Sequence, residues 1–215
     1  MPTSRFDVSR DELAELLAGE PRYRVDQVWS GLYDQRVDPA EMTNVPKSVR
    51  SRLDEVLPPA LERIATSISD DGATVKWLWA LDGGARVETV LMHYTDRSTV
   101  CVSTQAGCAM ACGFCATGQA GFERNLAVGE IVEQVVRAAR AANDGPTPRR
   151  VSNVVFMGMG EPMANYDQVW TAIRRIHTDH PGELVHIDVK KLGRIPDGGG
   201  WRAHGRQAVR VDRDK

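Results

Sequence analysis

The sequence predicts an α/β protein, a partial βα barrel with a small helical N-terminal module. Three observations predict it. Residues 1–57 place apolar side chains at helical spacing. Residues 58–97 read as β-rich runs separated by DDG and DGG, which are hairpin signals. From Ser98 onward strand and helix patterns alternate, the signature of parallel βα units.

Each element follows from its local pattern. SRDELAELL opens a helix that Ser9 can cap, with Glu12 at capping-box spacing. RYRVDQVWSGLYDQR carries Val25, Val28, Trp29 and Leu32 on one helical stripe. PKSVRSRLDEVL begins with Pro46, a residue suited to a first helical turn. LERIATSISD, ATVKWLWAL and ARVETVLMHY read as strands of a linking segment, residues 58–97, and RSTVCVST as the first barrel strand. AVGEIVEQVVRAARAAN is an amphipathic helix with Ile131, Val132, Val135 and Val136 near one face. VSNVVFMGMG is a strand ending in glycines, and NYDQVWTAIRRIH a further helix. Trp29, Trp77, Trp79 and Trp170 are expected as core or interface anchors.

The bulk properties exclude several classes. The 215 residues, 42% of them apolar, fit one or two globular domains. No apolar run is long enough to span a membrane. The polar start MPTSRFDVSRDEL is unlike a signal peptide, so a cytoplasmic location with reduced thiols is expected. A formal net charge of -2 argues against a non-specific nucleic-acid coat, although basic pairs such as Arg149-Arg150 and Arg174-Arg175 can contact phosphates locally.

The chemistry concentrates in AGCAMACGFCATG. Cys108, Cys112 and Cys115, three of the chain's four cysteines, fall in a C-x3-C-x2-C pattern. Spacing alone leaves open buried thiols, a zinc site completed by His93 or Cys101, and an iron–sulfur cluster. Structural zinc commonly takes two ligand pairs, and no second pair follows. Clusters are generally held by four thiolates, so three would leave one iron open to a substrate. The loop lies after a strand and before a helix, which in a βα barrel is the catalytic face.

C-x3-C-x2-C with Phe114 before the last cysteine resembles the radical S-adenosylmethionine (radical SAM) superfamily. VETVLMHY, RSTVCVSTQAGCAMACGFCATGQAGFERNL, EIVEQV and NVVFMGMGEPMANYDQV, with RYRVDQVW and MTNVPKSVR upstream, resemble the RlmN-type RNA methyltransferases from about residue 10 to 177. The resemblance implies a partial radical SAM βα barrel over 98–178 and methylation of adenine C2 in 23S rRNA and tRNA. C2 lies between two ring nitrogens and is electron-poor, so an electrophilic methyl donor meets no nucleophile there and a radical route is needed. By the same resemblance Cys108, Cys112 and Cys115 hold a [4Fe–4S] cluster whose open iron chelates S-adenosyl-L-methionine. One electron then cleaves that molecule to methionine and a deoxyadenosyl radical. Gly160 and Glu161, in GMGEP, are implied as its binding residues, Glu88 as the proton acceptor, and Cys101 as the thiol that helps release the protein–RNA adduct. A flavodoxin-like electron donor and a monomeric state are implied too. Each assignment has a plainer competitor: a strand-to-loop turn for Gly160 and Glu161, a solvent-facing carboxylate for Glu88, and a small buried hydrophobe for Cys101. The competing function is a zinc-binding, RNA-interacting module without catalysis.

The family's methyl-carrying cysteine lies far downstream, and this chain has no cysteine after Cys115. Beyond about residue 178 the pattern changes. PGELVHIDVKKLGRI resembles the start of a DDE integrase-core transposase, with Asp188 at the position of its first metal-binding acid. From Lys190 to the end the tail carries eight Lys/Arg among few apolar residues and reads as disordered. The expectation is a truncated methyltransferase, residues 1–178, joined to a foreign tail, 179–215, and unable to complete the reaction alone.

Overall fold

The computed structural model describes residues 4–178 apart from 111, 113, 114 and 146. Phe114, Asp188 and the basic tail therefore lie outside the described residues. Helices α1 (Arg10–Leu16), α2 (Tyr23–Tyr33) and α3 (Lys47–Val56) form the N-terminal module. The Ser9 hydroxyl accepts from the Glu12 N–H at 3.2 Å while Glu12 Oε2 accepts from the Ser9 N–H at 2.7 Å, the expected capping box. Pro46 is the N-cap of α3, with ψ 144, so the helix opens at Lys47, one residue later than the proline suggested. Leu13, Leu17, Val28, Leu32, Val49 and Leu53 are buried.

Strands β1 (Glu62–Ser69), β2 (Thr74–Ala80), β3 (Arg86–His93), β4 (Ser98–Cys101), β5 (Gln105–Gly107), β6 (Phe122–Asn125) and β7 (Asn153–Val155) follow. The five-stranded sheet has the order β1-β2-β3-β4-β7. Its first three pairings are antiparallel and β4 pairs with β7 in parallel. The linking segment and the first barrel strand thus share one sheet. At the DDG turn Asp70, Asp71 and Gly72 take φ values of 55, 52 and 91, a left-handed geometry that Asp and Gly tolerate. β1 is an edge strand, exposed along its whole length, with an irregular register between Arg63 and Ala65.

Helix α5 (Val128–Asp144) runs from β6 back to β7, and α6 (Tyr166–Thr178) follows β7, giving the expected strand–helix–strand–helix order. The row Val87, Thr89 and Leu91 of β3 is buried, as alternation predicts, with Val100 and Val154 beside it. Trp29, Trp77 and Trp79 are core residues, whereas Trp170 is 45% exposed and stacks parallel to Tyr166 at 6.3 Å.

Polar contacts join the module to the barrel segment. Asp7 accepts from the Gly129 N–H at the start of α5 (2.6 Å), and Arg175 donates to the Phe6 carbonyl (2.6 Å). The forked guanidinium of Arg140 grips Glu41 at 2.7 and 2.8 Å and holds its carboxyl down at about 2. Glu133, wholly buried, accepts from the Ala60 N–H (2.8 Å) and Arg137 (2.7 Å).

Inside α5, Gln134 has no solvent exposure. Its Oε1 accepts from the Ser103 N–H (2.8 Å) and the Thr89 hydroxyl (2.9 Å). Its Nε2 donates to the carbonyls of Ser103 (3.0 Å) and Glu130 (3.1 Å). Trp79 donates in turn to Thr89 at 3.0 Å. Removing the carboxamide strands buried donors, at about 1–3 kcal/mol for each unsatisfied group. Gln134→Leu is therefore expected to lower the unfolding free energy by about 3 kcal/mol, measured by urea denaturation.

Candidate active site

The sheet directs the candidate site positions to one end. β4 and β7 are parallel neighbours, so the segments after them emerge side by side. After β4 the chain passes Val102–Thr104 into β5, and the cysteine loop lies between β5 and β6. After β7 it enters Gly158–Pro162. β3 runs antiparallel to β4, which brings its early residue Glu88 to the same end. The Ser103 hydroxyl marks the junction, donating to the Glu88 carbonyl (2.6 Å) and accepting from the Met159 N–H (3.0 Å).

The two loops are stitched together through backbone. Gly158 N–H donates to Val102 O (3.0 Å), and Thr104 and Gln105 N–H donate to Met159 O (2.8 and 3.2 Å). A Cβ on Gly158 would stand 2.6 Å from Val102 O and 2.7 Å from its carbonyl carbon. Gly160 has φ +96, and a Cβ there would lie 2.7 Å from Gln105 N. The close approach that these glycines permit is to the β4–β5 connection. Glu161 presents its backbone N–H to Gln105 Oε1 at 2.8 Å, and its carboxylate accepts from Met163 N–H at 3.2 Å. The strand itself is shorter than VSNVVFMGMG suggested, because the chain leaves the ladder after Val155 to make these contacts.

Glu88 and Cys101 share a face. Cys101 pairs with Val90, two residues from Glu88, so both side chains point away from α5. Glu88 is half-exposed and its Oε1 lies 3.0 Å from Lys76 Nζ, a partner the sequence did not suggest. Burial pushes the Cys101 thiol up, partly offset by a Met157 backbone N–H.

Cys108, Cys112 and Cys115 are free, partly exposed thiols on the β5–β6 loop. Cys108 N–H donates to Gly121 O (2.8 Å) and Cys115 N–H to Cys112 O (3.0 Å). Cys115 caps the short helix α4 (Ala116–Gln119), where the Gly118 and Thr117 N–H groups lower its thiol. Three soft sulfur donors on one loop, one of them biased toward thiolate, suit an iron–sulfur cluster by donor chemistry. Among the described residues no group of three or more His, Cys, Asp and Glu side chains stands close enough to share a metal ion. His93 makes a 2.8 Å hydrogen bond to Ser98. Among the described residues no helix is long and apolar enough to cross a membrane.

The residues that hold the site together escaped the sequence reading. Ser103, Gln105, Gln134 and Asn165 are all buried and polar. Asn165 Nδ2 donates to Thr104 O and Leu126 O, both at 2.9 Å. Polar residues inside otherwise apolar runs are the only sequence signal for them.

Two outcomes follow for the metal-free chain. Cys115 alkylates faster with iodoacetamide at pH 7.5 than Cys101, and its rate–pH midpoint falls below the ordinary thiol value of 9.0 while that of Cys101 lies above it; peptide mass spectrometry reads both. Gly158→Ala lowers stability by about 2 kcal/mol through the clash with Val102 backbone, measured by thermal unfolding.

Comparison with known proteins agrees with this arrangement. Residues 5–58 match the ribosomal RNA large subunit methyltransferase N-terminal domain. A probable dual-specificity RNA methyltransferase RlmN from Salinispora tropica is 48% identical over 200 residues, covering 89% of this chain and 54% of that protein. One from Chloroflexus aurantiacus is 52% identical over 181 residues, covering 80% of this chain and 47% of its own length. The chain thus spans about half the length of the curated relatives it matches. The crystal structure of a radical SAM methyltransferase from Sphaerobacter thermophilus superposes with a TM-score of 0.80 at 43% identity, covering 86% of this chain and 56% of that one. Its N-terminal module, its sheet and its long sequence identity all point the same way: over about half of their length, the RlmN radical SAM methyltransferases are what this chain is similar to.

Proposed function

We propose that these residues form the cofactor-holding part of an enzyme that methylates C2 of adenine in 23S rRNA and tRNA. The observation that carries the proposal is the gathering of Cys101, Glu88, the cysteine loop and Gly158–Pro162 at one end of one sheet. In this reading Cys108, Cys112 and Cys115 hold a [4Fe–4S] cluster, and Gly160 and Glu161 border the S-adenosyl-L-methionine site. When bound, the cluster supplies the electron that makes S-adenosyl-L-methionine reactive, fed by a donor such as flavodoxin. Glu88 takes up a proton at its carboxylate, with the Lys76 ammonium 3.0 Å from its Oε1. Cys101, half-buried and with its thiol pushed up, serves adduct release after losing its proton. The enzyme is read as monomeric.

The family's methyl-carrying thiol has no counterpart among residues 116–215, so the proposal for these residues is limited to holding the cofactors. The change of pattern near residue 178 is read as a junction with transposase-like sequence.

Anaerobic reconstitution with iron and sulfide tests the proposal. A brown protein with broad absorbance near ~400 nm and about four irons per chain is expected, lost when Cys108, Cys112 and Cys115 are replaced by alanine. One tightly held zinc without a visible band would replace the cluster with a structural metal. The loaded chain is expected to bind S-adenosyl-L-methionine without producing methylated adenine, read by mass spectrometry of digested RNA.

A further inference from the structure

The Gln105 side chain touches both halves of the candidate cofactor site. It opens β5, immediately before the cysteine loop, and is 2% exposed. Its Nε2 donates to Asn125 Oδ1 at 2.8 Å, on β6, the strand that closes that loop. Its Oε1 accepts from the Glu161 N–H at 2.8 Å, in the loop after β7. Its Cγ lies 2.7 Å from the position a Cβ on Gly160 would take, so the side chain rests on that residue's backbone. The backbone repeats the link, since Gln105 N–H donates to Met159 O at 3.2 Å and pairs across the hairpin with Asn125.

We propose that Gln105 is a positioning residue that couples the thiol-bearing hairpin to the Gly158–Pro162 loop, so that the two halves of the cofactor site order together. The assignment to a cofactor site rests on the function proposed above; the coupling itself does not. A planar carboxamide suits the task because one end donates and the other accepts, and the plane fixes their relative direction. Movement of Asn125 is passed to Glu161 through one rigid group. Hydrogen bonds polarised in series strengthen one another, so losing one end weakens the other.

Amide hydrogen exchange of the metal-free chain, followed at single residues by NMR, tests the coupling. Gln105→Met keeps the length of the side chain and its packing on Gly160 while removing both hydrogen bonds. The Glu161 amide is expected to exchange about fivefold faster in this variant, the worth of one buried hydrogen bond. Asn125→Ala, at an exposed position, leaves the bond to Glu161 in place yet is expected to quicken the same amide about threefold. The double variant is expected to exchange no faster than Gln105→Met. A Glu161 amide at the parent rate in Asn125→Ala, or in a folded Gln105→Met, overturns the proposal. If Gln105→Met fails to fold, the exposed Asn125→Ala variant decides.

A spectroscopic arm separates positioning from general support. In the parent, loaded with iron and sulfide and reduced, S-adenosyl-L-methionine is expected to shift the electron paramagnetic resonance signal. In Gln105→Met at equal iron content the shift is expected to be lost. An equal shift in both overturns the coupling to the cosubstrate. Failure of the parent to take up iron overturns the cofactor reading instead, and the amide rates, which need no metal, still decide the role of Gln105.

Discussion

The carboxamide of Gln134 is sealed between α5 and the sheet, and each of its ends meets two partners. A polar group in that position is costly unless every donor and acceptor is matched. Matching it requires Thr89 on β3, the Ser103 backbone beyond β4 and the first turn of α5 to keep one relative placement. An apolar contact would accept many neighbouring arrangements; this one accepts few. The position of Ser103 then fixes the Glu88 carbonyl and the Met159 N–H that bond to its hydroxyl. The end of the sheet is thereby defined from the inside.

A second set of constraints acts at the other side of α5. Asp7 reaches the N–H of Gly129 at its first turn, a place where negative charge is favoured. Glu133 and Arg140, further along, reach Ala60 and Glu41. The N-terminal helices are therefore keyed to the same rod that carries Gln134. The exposed ion pairs add little individually. Their value is in register, since each joins residues distant in the chain.

Local rules were legible where one short pattern decides the outcome. The Ser9–Glu12 cap, the alternation through Val87, Thr89 and Leu91, and the DDG turn each involve only near neighbours, and the structure repeats them. The cysteine spacing and the long motifs carried the resemblance. The hairpin of β5 and β6 was not legible, because strands of three and four residues hold too few alternations to register. Glu130, Glu133 and Gln134 look like a solvent-facing stripe on α5, yet all three are buried. Their partners are Arg124, Ala60 and Ser103, and no pattern within a single helix can announce a partner from elsewhere. For the same reason the glycines after β7 pointed to a ligand, while in the structure the neighbour that needs their missing side chains is the β4–β5 connection.

β1 lies exposed along its length, held to the rest by its ladder with β2 and interrupted near Ile64. Such a strand opens without disturbing the core, and its amides belong to the low end of the protein's range of local stabilities. That margin is the one farthest from Cys101 in the strand order, and the buried Trp77 and Trp79 lie on the strand next to it. Local opening is therefore expected to start at the rim of the sheet and to reach the strand that carries Cys101 late.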